Sequence, residues 1–303
     1  MKKILCTAAL TLLFAFAYFI YQGNIQQKRE TAIHRIVEAG GRVILGEASA
    51  PETWTTPSAF NRPGLPIDSL WLRDGAITCV TPYELSLLND TNLLVWLCDG
   101  AKSDEPYLKE IARFQNLEHL ALGKVDGSQL SWIANKVNLQ SLHVDVEDSA
   151  SLRHLSKLER LRNLTISVNR GQDSDFDFLS SLKALKSVTI VAYRGVTGRF
   201  TQKLTSASSL YSATFELRDG VCADISSISL LTSIEELDLS YCPVDDGILP
   251  SIKSLPHLRR VSLARTQLTD KSVPELMSWR GIEVDVSGVE GIAEADVNRI
   301  FNR

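Results

Sequence analysis

The segment LDLSYCPVDDGILPSIKSLPHLRRVSLARTQLTD, residues 237–270, decides the fold. It begins with alternating apolar and polar residues, continues with an apolar stripe at Ile248, Ile252 and Leu255, and returns to the same alternation after Leu258. Alternation is typical of a strand with one buried face, and spacings of three and four residues are typical of a helix with one buried side. The segment therefore predicts a strand, a turn, a short helix, a second turn and a second strand.

The same unit recurs along most of the chain. Eight copies of a six-residue template, in which the first, fourth and sixth positions are apolar, and two weaker copies from Asn92 and Gly281 follow one another with a mean period of about 24 residues. The last apolar residues of the copies are Leu72, Leu97, Leu122, Val144, Ile166, Ile190, Phe215, Leu239, Leu263 and Val286. This period leaves room for one strand and one short return helix, so successive strands must stack in parallel about 4.8 Å apart. The sequence predicts an α/β solenoid with a parallel concave sheet and short convex helices.

These repeats resemble those of leucine-rich repeat proteins over about residues 67–288. Residues 237–270 are most similar to the ribonuclease-inhibitor-like and cysteine-containing branches, which are common in bacterial membrane-anchored repeat proteins. The resemblance implies a horseshoe, a chain that turns inward at the ninth template position, and a non-enzymatic role in protein recognition. Asn169, Cys242 and Thr266 fit that ninth position. The residues that do not fit it are Gly75, Gly100, Glu147, Tyr193 and Arg218.

The first 21 residues differ from the rest of the chain. Residues 4–21 are uncharged and largely apolar behind Lys2 and Lys3, and as a helix they would measure about 27 Å, close to the roughly 30 Å of a bilayer's hydrocarbon core. The Ala-Phe-Ala sequence at residues 15–17 also fits signal cleavage, although the apolar run continues beyond it. We expect a single-pass membrane anchor with the repeats outside the cytoplasm. Secretion after cleavage and a buried core helix are the alternatives.

Four regions follow from these patterns. Residues 1–22 form the anchor or signal segment, and residues 23–66 form a juxtamembrane helix, a short strand at 42–45 and an irregular cap. The repeat array occupies residues 67–288, and residues 289–303 are expected to form a capping helix because a terminal repeat must not expose its core. The residues expected on the apolar side of that helix are Ala293, Val297, Ile300 and Phe301.

Alternation along the strands assigns the third, fifth and seventh template positions to the concave surface. Trp71 and Trp96 should lie on neighbouring strands close enough to stack, either as an anchor for a protein partner or as residues covered by the cap. The predicted partner-binding residues are Trp71, Trp96, His119, His143, Asp145, Glu236, Asp238, Arg260, Arg265 and Asp285.

An acidic patch is expected at the carboxyl-terminal end of that surface. Its carboxylates come from Glu236, Asp238, Glu283 and Asp285, with Arg260 and Arg265 between them. A solvated face is the favoured explanation of such a patch, and a basic protein partner attracted by its field is the alternative.

One row of residues has the composition of a catalytic site. Ser141, His143 and Asp145 alternate along one strand, with His119 on the strand beside them. Alternate strand residues lie about 6.6 Å apart, whereas a catalytic triad needs contacts of roughly 2.6 to 3.2 Å and an oxyanion hole. A hydrolase at this row is therefore a remote alternative, and a metal site at His119, His143 and Asp145 lacks supporting residues that we can name.

Composition and charge exclude several classes of protein function. The chain of 303 residues is 44% hydrophobic and 22% charged, as globular proteins are, and its net charge of −4 supplies no basic field for nucleic acid. Its five cysteines form no framework, although Cys222 and Cys242 in adjacent repeats could bridge after export. We expect a protein partner, with no enzyme activity, cofactor, metal, nucleic acid or small-molecule substrate. A cell-envelope spacer without a dedicated ligand is the structural alternative.

Overall fold

The chain divides into two compact units, residues 1–117 and residues 118–303. The computed structural model describes residues 20–35, 38, 42–45, 67–72, 81, 83, 92–97, 105–114, 117–218 and 225–301.

The first unit combines helices with a small mixed sheet. Residues 20–35 are helical and bury Ala32 and Ile33. Strand β1 (Arg42–Leu45), at the position expected for a short strand, runs antiparallel to β2 (Ile67–Leu72), which pairs in parallel with β3 (Asn92–Leu97). A helix at Glu105–Ile111 follows.

The expected anchor, residues 4–21, lies outside the described residues except for its last two positions. Among the helices that the structure does describe, none has both the length and the apolar character of a bilayer span. Membrane anchoring remains a prediction from the sequence.

The second unit is a solenoid of parallel strands, as the repeat predicts. Each strand from β5 onward pairs in parallel with the strand before it. The strands are β4 (His119–Val125), β5 (Ser141–Asp148), β6 (Asn163–Arg170), β7 (Ser187–Ala192), β8 (Ser212–Leu217), β9 (Glu236–Asp238), β10 (Arg260–Ser262) and β11 (Glu283–Asp285).

The return segments of this unit are short helices, and many are 3-10 rather than α. The 3-10 helices lie at Ser149–Lys157, Asp173–Ser181, Arg199–Ser206, Ser226–Leu230, Asp246–Ile248 and Asp270–Ser272. The α-helices lie at Gly127–Ile133, Leu249–Lys253, Val273–Ser278 and Glu294–Phe301. A 3-10 helix has three residues per turn, so the spacing of exactly three between Leu152, Leu155 and Leu158 keeps all three buried on one side.

The core of the second unit lies between the sheet and these helices. The sixth template position supplies one buried residue from each strand, and none of the eight is more than 2% exposed. Phe200 joins this column to the helices: its ring centroid lies 5.0 Å from that of Phe176 and 5.4 Å from that of Phe215. Apolar side chains therefore form one continuous core through successive repeats.

The end of the strand changes along the array, which corrects the expectation for Asn169. Strand β6 continues through Asn169, and its side-chain amide donates to Glu147 Oε1 at 2.7 Å instead of turning inward. In the later repeats the chain does turn: Tyr241 and Arg265 have positive φ angles of 63° and 55°, and the next residues, Cys242 and Thr266, are buried. Val168, just before Asn169, is buried in the core, so the alternation of the continuing strand directs Asn169 away from it.

Cys242 occupies the inward position and is fully buried. Its Sγ donates to the backbone oxygen of Phe215, in the repeat before it, at 3.0 Å. The proposed partner of a disulfide, Cys222, lies outside the described residues.

The last helix, Glu294–Phe301, lies against β11 and against the helix Val273–Ser278. Ile300 is buried there, as expected, whereas Phe301 is 73% exposed and Ala293 is also exposed. The expectation that both would be covered is wrong: Ala293 precedes the helix, and Ile300 is the buried residue within it.

Candidate functional site

The solvent-facing side chains of β4–β11, opposite the core, form a surface that we call the open face. Two columns of residues run across it, because the third and the fifth template positions of successive strands are Cα partners. The third-position column is His119, Ser141, Asn163, Ser187, Ser212, Glu236, Arg260 and Glu283. The fifth-position column is Ala121, His143, Thr165, Thr189, Thr214, Asp238, Ser262 and Asp285. The alternation expected from the sequence is present, although Ala121 is itself buried.

The histidine end of the open face lacks the geometry of a catalytic triad. His143 Nε2 lies 3.7 Å from Asp145 Oδ1, beyond hydrogen-bonding distance, and the Cα partner of Ser141 is His119. A general base must reach its nucleophile at roughly 2.6 to 3.2 Å. No three His, Cys, Asp or Glu side chains of the described residues are placed to hold a metal ion, which contradicts the alternative of a metal at His119, His143 and Asp145.

We expect His119 to make the stability of the fold depend on pH. Desolvation by burial lowers the pKa of its imidazole from 6.5, against the opposing charge of Glu118. The folded chain therefore binds this proton more weakly than the unfolded chain does. Well above pH 6.5 the imidazole is neutral in both states, so we expect the free energy of unfolding to fall as pH drops below 6.5 and to level off below the folded pKa. Urea denaturation across this range measures the slope, and His119→Asn should reduce it; an equal slope in both proteins would contradict the assignment.

Trp71 and Trp96 are not lateral neighbours in the sheet. The Cα partner of Trp71 is Leu94, so Trp96 lies two residues further along β3 than the repeat alignment predicts. The second copy of the template has Asn92 where most copies have a large apolar residue. A slip of two residues leaves the alternation of faces unchanged. The side chains of β2 and β3 lie outside the described part of the structure, so their role as an anchor is untested.

The charge of the acidic patch is partly balanced by Arg260, one of the two arginines expected between its carboxylates. Arg260 lies between Glu236 and Glu283 in the third-position column, with Nη1 3.0 Å from Glu236 Oε1 and Nε 3.1 Å from Glu283 Oε2. The hydrogen bond with Glu283 is the main cause of a raised pKa at Arg260.

The two aspartates of the patch accept hydrogen bonds from neighbouring residues. Asp238 accepts a hydrogen bond from the backbone of Ser240 at 2.8 Å, and Asp285 accepts one from the backbone of Ser287 at 2.9 Å. Ser262, between them, donates to Asp285 Oδ2 at 3.2 Å. These hydrogen bonds hold both carboxylates in position without removing their negative charge.

The structure reveals a row of side chains that the sequence interpretation missed. At the carboxyl ends of β7–β10, the guanidinium of Arg218 lies 5.6 Å from the ring centroid of Tyr193 and 4.9 Å from that of Tyr241. Tyr241 also contacts the arginine of the next repeat: the guanidinium of Arg265 lies 5.3 Å from the Tyr241 ring centroid. We call Tyr193, Arg218, Tyr241 and Arg265 the Arg–Tyr ladder. Its sequence signal is a tyrosine or arginine at the eighth or ninth template position of four consecutive repeats.

Most of the ladder is accessible to solvent, and Tyr193 is half-buried. Tyr241 is 41% exposed, and both arginines are exposed. Each guanidinium lies within the roughly 6 Å at which a cation is attracted to a ring. Arg218 also pairs with Glu216, whose Oε2 lies 2.7 Å from Nη2, and this hydrogen bond is the main cause of a raised pKa at Arg218.

No protein-family model and no curated protein matches this sequence. Among solved structures, the chain is similar to two internalins of Listeria monocytogenes and to an Arabidopsis receptor-kinase ectodomain. Internalin InlF is 15% identical, with 77% of this chain and 84% of that chain covered and a TM-score of 0.43. Internalin C2 is 14% identical, with 64% and 80% covered and a TM-score of 0.42. The leucine-rich repeat ectodomain of HAESA, solved with a peptide hormone, is 18% identical, with 59% and 31% covered and a TM-score of 0.41.

The fold itself rests on the coordinates of the second unit. Its strands are parallel and in register, its return segments are short helices, and its leucine-rich columns are buried. Residues 118–303 therefore have a leucine-rich repeat fold.

Proposed function

We propose that this chain is a non-enzymatic protein-recognition module that binds its partner through the open face of residues 118–303. The observation that supports the proposal is the register of the strands. Each repeat contributes one side chain to each of two continuous columns across the surface. Backbone hydrogen bonds between strands hold these columns in place before binding. A partner therefore meets a preorganised surface, and little conformational freedom is lost on this side of the complex.

The chemistry of the open face supports recognition rather than reaction. Between its histidine end and its charged end, the two columns carry small hydroxyl and amide groups, such as Thr165, Thr189 and Thr214. Such groups donate and accept hydrogen bonds but hold no activated nucleophile. Exposed tyrosine and arginine at the edge of the face supply the residue types that dominate binding energy in protein interfaces.

The proposal includes display of the repeats outside the cytoplasm by residues 4–21. The uncharged, apolar character and the length of that segment support an uncleaved anchor. Secretion after cleavage would place the same repeats in the same compartment, so the recognition surface does not depend on this choice.

Site-specific crosslinking in intact cells tests the proposal. A photoreactive amino acid at Thr189 or Thr214, which are Cα partners in the middle of the open face, should capture the same protein from both positions. The matched control is Thr205, an exposed threonine on the opposite side of the core in the helix Arg199–Ser206. Once that protein is purified, Thr214→Lys should weaken its binding about tenfold or more, whereas Thr205→Lys should not. Equal capture from all three positions, or none from the open face, would favour a spacer without a ligand.

A further inference from the structure

Two residues of the Arg–Tyr ladder have a strained backbone at a position where glycine would be unstrained. Tyr241 and Arg265 adopt positive φ angles of 63° and 55°, a conformation that non-glycine residues rarely adopt. The equivalent residue of the next repeat is Gly288, which makes the same turn with φ of 68°. Glycine adopts this conformation without a steric penalty. The tyrosine and arginine side chains are thus kept at positions where the backbone favours glycine, and strain of this kind concentrates at functional sites.

The charges of the ladder are unequal. Arg218 is balanced by Glu216, with Nη2 2.7 Å from Oε2. Arg265 forms no ion pair with any residue that the structure describes, and its described charge contact is with the Tyr241 ring. A guanidinium that is stacked on a ring keeps its N–H donors at the edge, where a carboxylate can accept two of them at once.

The acidic residues of the neighbouring strands do not supply that carboxylate. Glu236 and Glu283 are held by Arg260, and Asp238 and Asp285 accept backbone hydrogen bonds from Ser240 and Ser287. The positive charge of Arg265 is therefore available to a partner.

Building on the proposed function, we infer that the Arg–Tyr ladder is the docking site of the protein partner, and that the partner presents an acidic segment there. A carboxylate of the partner binds the edge of Arg265, and an apolar or aromatic part of the same segment packs on the exposed ring of Tyr241. Tyrosine and arginine that are already stacked lose little freedom on binding, so they suit the centre of an interface.

Peptide binding to the full-length protein tests the chemistry. The probe is an amidated Glu-Glu-Tyr-Glu-Glu peptide, and Lys-Lys-Tyr-Lys-Lys is its counterpart of opposite charge. We expect the acidic peptide to bind at least about tenfold more tightly than the basic one, and Arg265→Glu to remove that preference. Failure of the acidic peptide to bind, or equal binding of the two, would overturn the inference.

Matched variants distinguish binding at the ladder from the general effect of changing an exposed arginine or tyrosine. Arg280 is an exposed arginine and Tyr211 a tyrosine 45% exposed, and both precede their strands, at the end opposite the ladder. Arg265→Glu and Tyr241→Ala should each weaken acidic-peptide binding about tenfold, whereas Arg280→Glu and Tyr211→Ala should leave it unchanged. Equal losses in the ladder and control variants would overturn the inference.

Two further measurements distinguish this inference from the proposed function and from a structural role. If the photoreactive residue at Thr214 captures a protein and Arg265→Glu does not reduce the yield, the ladder is not the docking site although recognition stands. If the open face captures nothing, recognition itself fails.

Tyr241→Gly should maintain the melting temperature, because it relieves the left-handed strain, and should still weaken binding. A lower melting temperature with unchanged binding would show that Tyr241 serves only the fold.

Discussion

Phe200→Ala should lower the free energy of unfolding by about 4 kcal/mol, within the range for an aromatic ring removed from a packed core. Phe200 is 1% exposed, and its ring contacts those of Phe176 in the repeat before it and Phe215 in the repeat after it. A cavity at this point interrupts the core between adjacent repeats, and each repeat is stable only through its neighbours. Urea denaturation followed by circular dichroism measures the change.

The control for this variant is Phe301→Ala. Phe301 is 73% exposed on the last helix, so its removal should change the free energy of unfolding by less than about 0.5 kcal/mol. Similar losses in the two variants would contradict the assignment of Phe200 to the core.

Asp173→Ala is the second large effect, and we expect a loss of about 3 kcal/mol in the free energy of unfolding. The carboxylate of Asp173 accepts four hydrogen bonds from the next repeat. They come from the Thr197 backbone at 3.0 Å, the Thr197 hydroxyl at 2.7 Å, the Gly198 backbone at 3.0 Å and the Phe200 backbone at 3.2 Å. Alanine leaves these donors at the start of the helix Arg199–Ser206 without an acceptor, so the link between the two repeats is lost.

The same helix that contains Asp173 provides the control. Asp177 is exposed and forms an ion pair with Lys203 at 2.9 Å, and an exposed pair of this kind contributes at most about 1 kcal/mol. Asp177→Ala should therefore be nearly neutral. Hydrogen exchange at the amides of Thr197, Gly198 and Phe200 gives a local measurement: it should accelerate in Asp173→Ala and remain as in the wild type in Asp177→Ala. Unchanged exchange in both would show that Asp173 does not organise this turn.

The candidate site was only partly predictable. The columns that contain His119, His143 and Arg260 follow from the alternation of residues, because every parallel strand in register presents the same template position to the same face. The pairing of Arg260 with both Glu236 and Glu283 required the coordinates, since the reach of a long side chain to two neighbouring strands depends on its conformation. For the same reason the placement of Arg265 against Tyr241, rather than among the acidic residues, was not predicted.

Local backbone geometry accounts for other differences between expectation and structure. The ninth template position of β6 carries Asn169, a residue compatible with an inward turn, yet the strand continues through it. The tight turns occur instead after Tyr241 and Arg265, whose positive φ angles no simple residue preference predicts. The slip of β3 relative to β2 has a similar origin, because a weak copy of the template determines the face of each residue but not its partner.

The sequence by itself determined the repeat, the parallel direction of the strands and the residues of the core. These properties depend on a short period and on the spacing of apolar residues within it, which are local and are repeated many times. The tertiary structure alone decided the Arg–Tyr ladder, the balance of charge around Arg260 and the link made by Asp173. Each of these joins residues of successive repeats, about 24 residues apart in the chain. Their contact depends on side-chain conformation and strand register, which the period of the repeat does not specify.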